Sequence, residues 1–435
     1  MRRYGTFSMA IGGGAALLGL ALAASGLHEP FLEQAGEWYR THGWQAAAQW
    51  TRLRWAEFSV VALFPPGLAF GMIESTRTWQ KAALGTAAAL LSALLSPLFA
   101  LYGVLFDVVP LLLAIALVIL GAVGFGRTEF GSRKRRLERA LGTRVSARVF
   151  SSLLDAAVAP NFEARSRKVS MIVCRLLPAD EDEGRVTPKD ALTRGSWFLR
   201  AVSSFLLSRG AYLEEAGPER IRAVFGMLRD EEDHAVKACQ AAHDLRGRLG
   251  GLAREFESRW FHPLAWGVGV TSGTMSIGLC GDPGRFLLAG VGGEMDFADR
   301  LALANARLAS DVLLGPETCR LVQDRFEVRP LELVYDPLSQ GLREVCQLLA
   351  PTEGFSEEER QRRDWFWKGV IRLRQKQHEE ALECFSRARV PGVEDRPLAH
   401  LLAQAQDGIA TPESRSARLI REFTDDGQAR LLERL

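Results

Sequence analysis

Two long uncharged segments constrain the fold of this chain more than any other feature. No charged side chain occurs from residue 82 to residue 106, or from residue 108 to residue 126. Each segment approaches or exceeds the roughly 20 residues with which an α-helix crosses about 30 Å of hydrocarbon. Segments of this kind do not form the surface elements of a soluble domain. We therefore predict that both are transmembrane helices.

Two further apolar runs precede this pair. The first, 7–27, follows Arg2 and Arg3, and the second, 58–73, is short and contains two consecutive prolines. These runs predict a membrane segment over 1–126 with three or four transmembrane helices. Their expected positions are 7–27, 58–73, 82–106 and 108–126. The residues at 21–23 also resemble a small-residue cleavage site, so the first run is either an anchor or a cleaved signal peptide.

The charge distribution supports the same division of the chain. Residues 1–126 carry 13 of the 106 charged side chains, although the whole chain has a net charge of only +2. Basic residues at 2–3, 77–81 and 133–136 fall on one side of a four-helix arrangement, which is the positive-inside pattern. We predict a multi-pass protein of a bacterial inner membrane with a cytoplasmic C-terminal part. The near-neutral balance disfavours a nucleic-acid partner.

Strands and helices alternate in the charge-rich remainder. Residues 127–149 lack proline and have helical spacing, which predicts a connector helix. The domain that follows, 150–350, is expected to have a mixed α+β or α/β layer fold. Its predicted strands are 168–177, 210–214, 221–225, 266–270 and 274–277, and its predicted helices are 196–208, 235–256 and 297–309.

The composition changes again after residue 350, where long charged helices are expected. Small and aromatic residues recur there with the spacing of a tetratricopeptide repeat, at Gly369, Ala381, Phe385 and Ala388. We predict a TPR-like helical hairpin over 351–410 and a charged C-terminal helix over 411–435. One repeat is too little for a solenoid, so the hairpin is expected to cap the preceding domain and bury the aromatic residues at 365–367. A groove for a protein partner is the alternative.

Three glycine-rich or apolar motifs follow one another within the predicted α+β domain. They are Ala223-Val224-Phe225-Gly226, the run from Gly267 to Gly273, and Gly292 followed by Ala298-Asp299-Arg300-Leu301. In this order they resemble the class III adenylate/guanylate cyclase homology domain over about residues 148–349. The resemblance implies a ferredoxin-like α+β fold. The helices before it resemble the membrane part of CHASE2-type cyclases without their sensor domain.

The resemblance also implies a dimeric catalytic site. In the family, two aspartates of one subunit hold two Mg²⁺ or Mn²⁺ ions on the phosphates of ATP or GTP, and the partner subunit supplies an asparagine and an arginine. The first metal position matches Arg175 and the second matches Glu219 in this chain. A guanidinium is not a metal ligand, whereas Glu219 keeps a carboxylate. We therefore formulate the hypothesis that an Arg175–Glu219 ion pair replaces the metal, with two solvated surface charges as the alternative.

The nucleotide-binding positions of the family are changed as well. Its adenine-selecting lysine matches Glu215, its purine-selecting acidic residue matches Leu287, and its phosphate-binding lysine matches Gln340. Its ribose asparagine matches Asp296. Among the catalytic positions, Arg300 keeps the family identity.

So many changes at one site predict a degenerate cyclase that needs no cofactor. The predicted function is a membrane-anchored, non-catalytic dimerisation, scaffold or signalling module that forms a homodimer or a heterodimer. One alternative is an active cyclase, alone or as half of a heterodimer, using Mg²⁺ or Mn²⁺ with ATP or GTP. The other is a nucleotide sensor that binds without turnover.

Overall fold

The computed structural model divides the chain into two compact units. The first contains Met1–Ala140 with Phe150–Pro160, and the second contains Leu141–Val149 with Asn161–Leu435. The residues described are 2–41, 51–75, 77–156, 162–177, 187–260, 264–281, 287–410, 420–423 and 429–431.

Helices make up the regular structure described in the first unit. They are α1 (Arg2–Ser25), α2 (Glu29–Thr41), α3 (Arg54–Glu74), α4 (Thr78–Ala100), α5 (Val109–Arg127), α6 (Glu129–Leu141) and α7 (Ala147–Leu154), of which α6 ends and α7 begins with residues of the second unit. Four of them, α1, α3, α4 and α5, are long and apolar enough to cross a membrane. Each of the four predicted apolar runs overlaps with one of these helices. The paired prolines do not interrupt α3, and Gly12 of α1 leaves no room for a Cβ beside the backbone of Pro66.

Two expectations for this part of the chain need correction. The helix predicted over 82–106 ends at Ala100, and the chain turns at Gly103, whose φ is +73°. The single connector helix predicted over 127–149 is wrong, because α6 and α7 are separate helices. Gly142 has a φ of +51°, in the left-handed region that glycine adopts without penalty, and it ends α6.

One mixed sheet runs through the second unit. Its strands are β1 (Arg165–Leu176), β2 (Tyr212–Ala216), β3 (Arg220–Phe225), β4 (Trp266–Cys280), β5 (Leu287–Val291), β6 (Val312–Leu314), β7 (Phe326–Asp336), β8 (Gly341–Pro351), β9 (Ile420–Phe423) and β10 (Ala429–Leu431). The order is β10-β9-β7-β8-β6-β4-β1-β3-β2, and β5 pairs with β4. The β4–β6 and β7–β9 pairs are parallel and the others are antiparallel. The two strands predicted at 266–270 and 274–277 are one continuous strand.

Helices cover both faces of this sheet. They are α8 (Pro188–Ser208), α9 (His234–Trp260), α10 (Gly293–Leu308) and α11 (Pro316–Val322). The sequence β1-α8-β2-β3-α9-β4 with strand order β4-β1-β3-β2 is the ferredoxin-like arrangement, so the predicted α+β fold is confirmed. Helices α8 and α9 share a core with Ile172 and Val268. On the opposite face, Gly267 and Gly269 leave no space for a Cβ against the backbone of α10.

Three helices follow β8 in the chain and pack on the α10 side of the sheet. They are α12 (Glu357–Arg374), α13 (His378–Ala388) and α14 (Arg396–Ala410). Phe366 of α12 is 1% exposed and shares a core with Phe297 of α10 and Val334 of β7. The burial expected for residues 365–367 is therefore right for Phe366 and wrong for Trp367, which is 38% exposed. Successive helical residues point about 100° apart, so three in a row cannot face one core.

The charged helix predicted over 411–435 is wrong where the structure describes it. Residues 420–423 and 429–431 form β9 and β10, and β9 pairs in parallel with β7 at the sheet edge. Residues 411–419, 424–428 and 432–435 lie outside the described part of the chain.

Candidate functional site

Strand alternation places three arginines on one face of the sheet. Antiparallel pairing sets Arg175 of β1 opposite Arg220 of β3, and Val173 opposite Arg222. Side chains two residues apart on a strand point the same way, so Arg220 and Arg222 share a face. Ile221, between them, points into the core formed with α8 and α9. The three guanidiniums therefore lie on the face covered by α10.

A single carboxylate of α10 binds all three guanidiniums. Oδ1 of Asp299 lies 2.9 Å from Nη1 of Arg175. Its Oδ2 lies 2.9 Å from Nη1 of Arg220 and 2.5 Å from Nη2 of Arg222. The Asp299 side chain is 12% exposed, so these bonds are largely shielded from water.

A second carboxylate, from β2, completes this group. Oε1 of Glu215 lies 2.8 Å from Nη2 of Arg220, and Oε2 lies 3.6 Å from Nε of Arg222. We call the five residues Arg175, Arg220, Arg222, Asp299 and Glu215 the arginine cluster. It contains three formal positive charges and two negative ones.

The electrostatics of the arginine cluster keep its central carboxyl ionised. Burial alone would raise the pKa of Asp299, but the hydrogen bond and charge of Arg222 and the charge of Arg175 outweigh it, so this pKa lies below the ordinary value. Burial acts to lower the pKa of Arg220, and the hydrogen bond to Glu215 and the charge of Asp299 reverse that effect. The ionised forms therefore stabilise one another.

The hypothesis of an Arg175–Glu219 ion pair is wrong. Arg175 is bound to Asp299, whereas Glu219 is exposed, and in the described part of the chain no ion pair joins it to Arg175. Glu219 immediately precedes β3, and its backbone carbonyl accepts a hydrogen bond from the backbone N–H of Leu176 at 3.0 Å. The side chain that faces Arg175 across the strands is that of Arg220.

The residues present do not fit a divalent metal ion at this position. Mg²⁺ requires several oxygen ligands in a near-octahedral arrangement, and a guanidinium supplies none. The carboxylate of Asp299 is already bound by three guanidiniums. Among the residues that the structure describes, no group of three or more His, Cys, Asp or Glu side chains is arranged to hold a metal.

Arg300, which the resemblance predicts to keep the family's catalytic arginine, belongs to a second ion-pair group. Its guanidinium is buried and lies 2.7 Å from Oδ1 of Asp336 in β7. Arg343 of β8 lies 3.3 Å from Oδ2 of the same aspartate, 2.8 Å from Glu294, and over the ring of Phe297. The ion pair of Arg300 is therefore formed within the same chain, with Asp336.

The remaining predicted residues are dispersed. Asp296 is exposed on α10, and its backbone carbonyl accepts a hydrogen bond from Nε of Arg300 at 3.4 Å. Leu287 begins β5 and is half-buried. Gln340 is exposed in the turn between β7 and β8, with a φ of +51°. Of the predicted site residues, the structure therefore brings Arg175 and Glu215 together in the arginine cluster.

The sequence reasoning missed the other three members of the arginine cluster. Arg220 and Arg222 carried a usable signal, because an Arg-Ile-Arg alternation in a strand puts two arginines on one face. Asp299 carried no such sequence signal, because the three arginines that it binds are 77 to 124 positions away in the chain.

The comparisons with known proteins concern the fold of part of this chain. No protein-family model matches the sequence, and no curated protein does. Similar solved structures include the adenylyl cyclase CyaB from P. aeruginosa, at 18% identity, with 43% of this chain and 96% of that chain covered and a TM-score of 0.39. A bacterial light-regulated adenylyl cyclase has 15% identity, coverage of 54% and 64%, and a TM-score of 0.41. The guanylate cyclase domain of RhGC from Catenaria anguillulae, in complex with GTP, has 18% identity, coverage of 43% and 100%, and a TM-score of 0.36.

Proposed function

We propose that this chain is a membrane-anchored relative of class III nucleotidyl cyclases that has lost cyclase chemistry and acts as a non-catalytic dimerisation, scaffold or signalling module. The observation that carries the proposal is the arginine cluster. At the position where the family resemblance expects a metal-binding aspartate, Arg175 is bound to Asp299.

The chemistry of cyclisation explains why this substitution matters. Attack of the ribose 3′ oxygen on the α-phosphate builds negative charge, which family members offset with two metal ions and an arginine. A guanidinium held at this position repels a divalent cation, and the nearby carboxylate of Asp299 is already bound by three guanidiniums. The cluster is thus stabilised by internal charge pairing without a metal.

The placement of Arg300 supports the same proposal. In the family, the arginine at this position reaches the nucleotide bound to the partner subunit. Here its buried guanidinium is paired with Asp336, and breaking that pair would leave a buried carboxylate with one fewer partner. We infer that Arg300 stabilises the packing of α10 on β7.

The proposed function includes a membrane location for the chain and a pairing of its second unit with another chain. Four helices are long and apolar enough to cross a membrane, and the basic residues flanking them favour a cytoplasmic second unit. We propose that the membrane is a bacterial inner membrane. We propose that the second unit pairs with another copy or with an active cyclase. The helices α12 and α13, with Gly369 against the ring of Phe385, are proposed to form a TPR-like hairpin.

The direct test is cyclase activity of the full chain purified in detergent. With Mn²⁺ and either ATP or GTP, we expect no cyclic nucleotide above the level given by the Arg300→Ala variant, while an active class III cyclase in the same detergent gives product. Product that disappears in Arg300→Ala or Glu219→Gln would overturn the proposal in favour of an active enzyme.

Two further measurements separate the alternatives. A saturable, nucleotide-dependent rise in Tm without product would favour a sensor over a scaffold. Affinity purification from native membranes tests assembly, and a second cyclase that co-purifies would favour the heterodimer. Light scattering showing a monomer at all accessible concentrations would contradict a homodimerisation module.

A further inference from the structure

Basic side chains gather at one end of the apolar helices in the first unit. Helix α3 ends at Glu74, α4 begins at Thr78, and α5 ends at Arg127. Helix α6 follows α5 closely in the chain, and its sequence contains five basic and two acidic residues. The positive-inside pattern places this end of the helices at the cytoplasmic surface of the membrane.

Three of these basic residues, Lys81, Lys134 and Arg135, lie close together. Nζ of Lys134 lies 2.5 Å from Oε1 of Glu74 and 3.1 Å from the backbone carbonyl oxygen of the same residue. Nη2 of Arg135 donates a hydrogen bond to the carbonyl oxygen of Gly126 at 2.7 Å. A Cβ placed on Gly126 would lie 3.8 Å from this Nη2 and 3.9 Å from Nζ of Lys81, so both nitrogen atoms lie beside the last turn of α5. We call Lys81, Lys134 and Arg135 the basic cluster.

The basic cluster has more positive charge than its neighbours compensate. Glu74 pairs with Lys134. In the described part of the chain, no ion pair joins Lys81 or Arg135 to a carboxylate. The charges of Arg135 and Lys134 act on Lys81, and both repel it. An anion bound between these side chains would replace that repulsion with attraction.

The charged groups of Lys81 and Arg135 are accessible from outside the protein. Both side chains are half-buried, and within the described residues neither has a nitrogen atom that is buried without a hydrogen-bond partner. Trp79, in the same first turn of α4 as Lys81, is 63% exposed. Tryptophan at a helix end is typical of the headgroup region of a membrane, and long basic side chains reach the same level. The basic cluster is therefore placed where lipid headgroups lie.

We propose that the basic cluster binds the phosphate group of an anionic phospholipid in the membrane around the first unit. The phosphodiester accepts hydrogen bonds from Nζ of Lys81 and from the guanidinium of Arg135, and it offsets the excess positive charge. A zwitterionic lipid fits less well, because its own ammonium group compensates its phosphate. The proposal rests on the membrane location proposed above and adds the class of lipid and the residues that bind it.

The test uses the full chain in detergent and follows Tm as one probe at a time is added in the same detergent. The probes are phosphatidylglycerol, which has a net negative charge, phosphatidylcholine, which has none, and inorganic phosphate. We expect a saturable rise in Tm with phosphatidylglycerol that exceeds the response to either other probe. Added sodium chloride should weaken the phosphatidylglycerol response, because salt screens charges near the surface.

Matched variants decide whether the basic cluster is responsible. Lys81→Gln and Arg135→Gln are each expected to weaken phosphatidylglycerol binding about tenfold or more, since each loses a charge-assisted hydrogen bond. Lys81→Gln should also leave Tm without lipid unchanged or higher, because it removes a charge that its neighbours repel. This variant therefore carries the comparison if Arg135→Gln does not fold.

Arg136→Gln provides a control on the same helix. It makes the same change of charge, but residue 136 points about 100° from Arg135 and about 200° from Lys134 around α6. We therefore expect Arg136→Gln to bind phosphatidylglycerol nearly as well as the wild type does.

Three outcomes would overturn the proposal. The first is a response to phosphatidylcholine or to inorganic phosphate that equals the response to phosphatidylglycerol. The second is an unchanged phosphatidylglycerol response in both Lys81→Gln and Arg135→Gln. The third is an equal loss in Arg136→Gln, which would indicate diffuse attraction to α6 and no defined site. Retention of the chain in the membrane pellet after an alkaline wash tests the location separately, so failure of the lipid site is distinguishable from failure of the proposed membrane location.

Discussion

Arg175 donates a hydrogen bond to Asp299 at 2.9 Å, and this ion pair ties the third strand from the sheet edge to the helix that covers it. The pair is one of three that converge on the same carboxylate. A carboxylate that binds several guanidiniums holds β1, β3 and α10 in a fixed relation. The arginine cluster is thus a structural connection between two strands and the helix that covers them.

Removing the central carboxylate should destabilise the second unit. Asp299→Ala leaves three neighbouring guanidiniums with like charge and one remaining carboxylate, Glu215. We expect a loss of about 2 kcal/mol, less than for a fully buried pair because the arginines keep some contact with water. Thermal unfolding of the full chain measures the effect. Asp296→Ala, at an exposed position of the same helix, should change Tm little, and equal effects of the two variants would count against the cluster.

The low pKa of Asp299 predicts a specific pH dependence. Because its pKa in the folded protein lies below the ordinary value of about 3.9, its stabilising contribution is complete above that value and is lost as the pH falls through the folded pKa. Asp299→Asn should therefore show a shallower loss of Tm than the wild type as the pH is lowered below about 4. Identical acid profiles for the two proteins would contradict this assignment.

Arg300 and Asp336 should behave as a coupled pair. Arg300→Ala and Asp336→Ala are each expected to lower Tm, because each leaves a buried charge with fewer partners. The double variant should lose less than the sum of the single losses, with a coupling of about 1–3 kcal/mol. Unfolding measurements on the four proteins give this coupling directly. Additive losses would mean that the two side chains act independently.

Local patterns predicted much of the second unit. The β-rich run at 168–177 and the strand pair at 210–214 and 221–225 predicted β1, β2 and β3, and the strand order is the ferredoxin-like one that the resemblance implied. The apolar runs of the first unit also predicted its four long helices. These features depend on residues close in sequence, so local hydrophobic patterns are sufficient to predict them.

The incorrect predictions concern features that depend on contacts between residues far apart in the sequence. Gly273 looked like a break between two strands, yet β4 continues through it, and a Cβ there would lie 2.7 Å from Cγ of Glu294. The glycine is explained by the close approach of α10. Likewise, Arg175 pairs with Asp299 and not with Glu219, because the strand register places Arg220 opposite Arg175. Neither the close approach of α10 to Gly273 nor the strand register can be predicted from a short window of sequence.

A buried pair in the first unit provides a test of its packing. Nε2 of His28 lies 2.6 Å from Oδ2 of Asp107, with both side chains 2% exposed, and Nδ1 lies 3.1 Å from the carbonyl oxygen of Leu22. His28→Ala should lower Tm in detergent by leaving Asp107 buried without its imidazole partner, at a cost of about 3 kcal/mol. Glu33→Ala, at an exposed position of α2, serves as the control. A Tm for His28→Ala within the scatter of that control would contradict the expectation.

The contact between α12 and α13 can be tested by adding one methyl group. A Cβ at Gly369 would lie 2.5 Å from Cε1 of Phe385, whose ring is fully buried. Gly369→Ala should therefore destabilise the second unit by about 1–3 kcal/mol through overpacking. Phe385→Leu removes ring atoms at the point of collision, so the double variant should regain part of the loss. Tm values for the two single variants and the double variant measure this rescue, and a double variant that loses the full sum would show that the two residues do not meet as described.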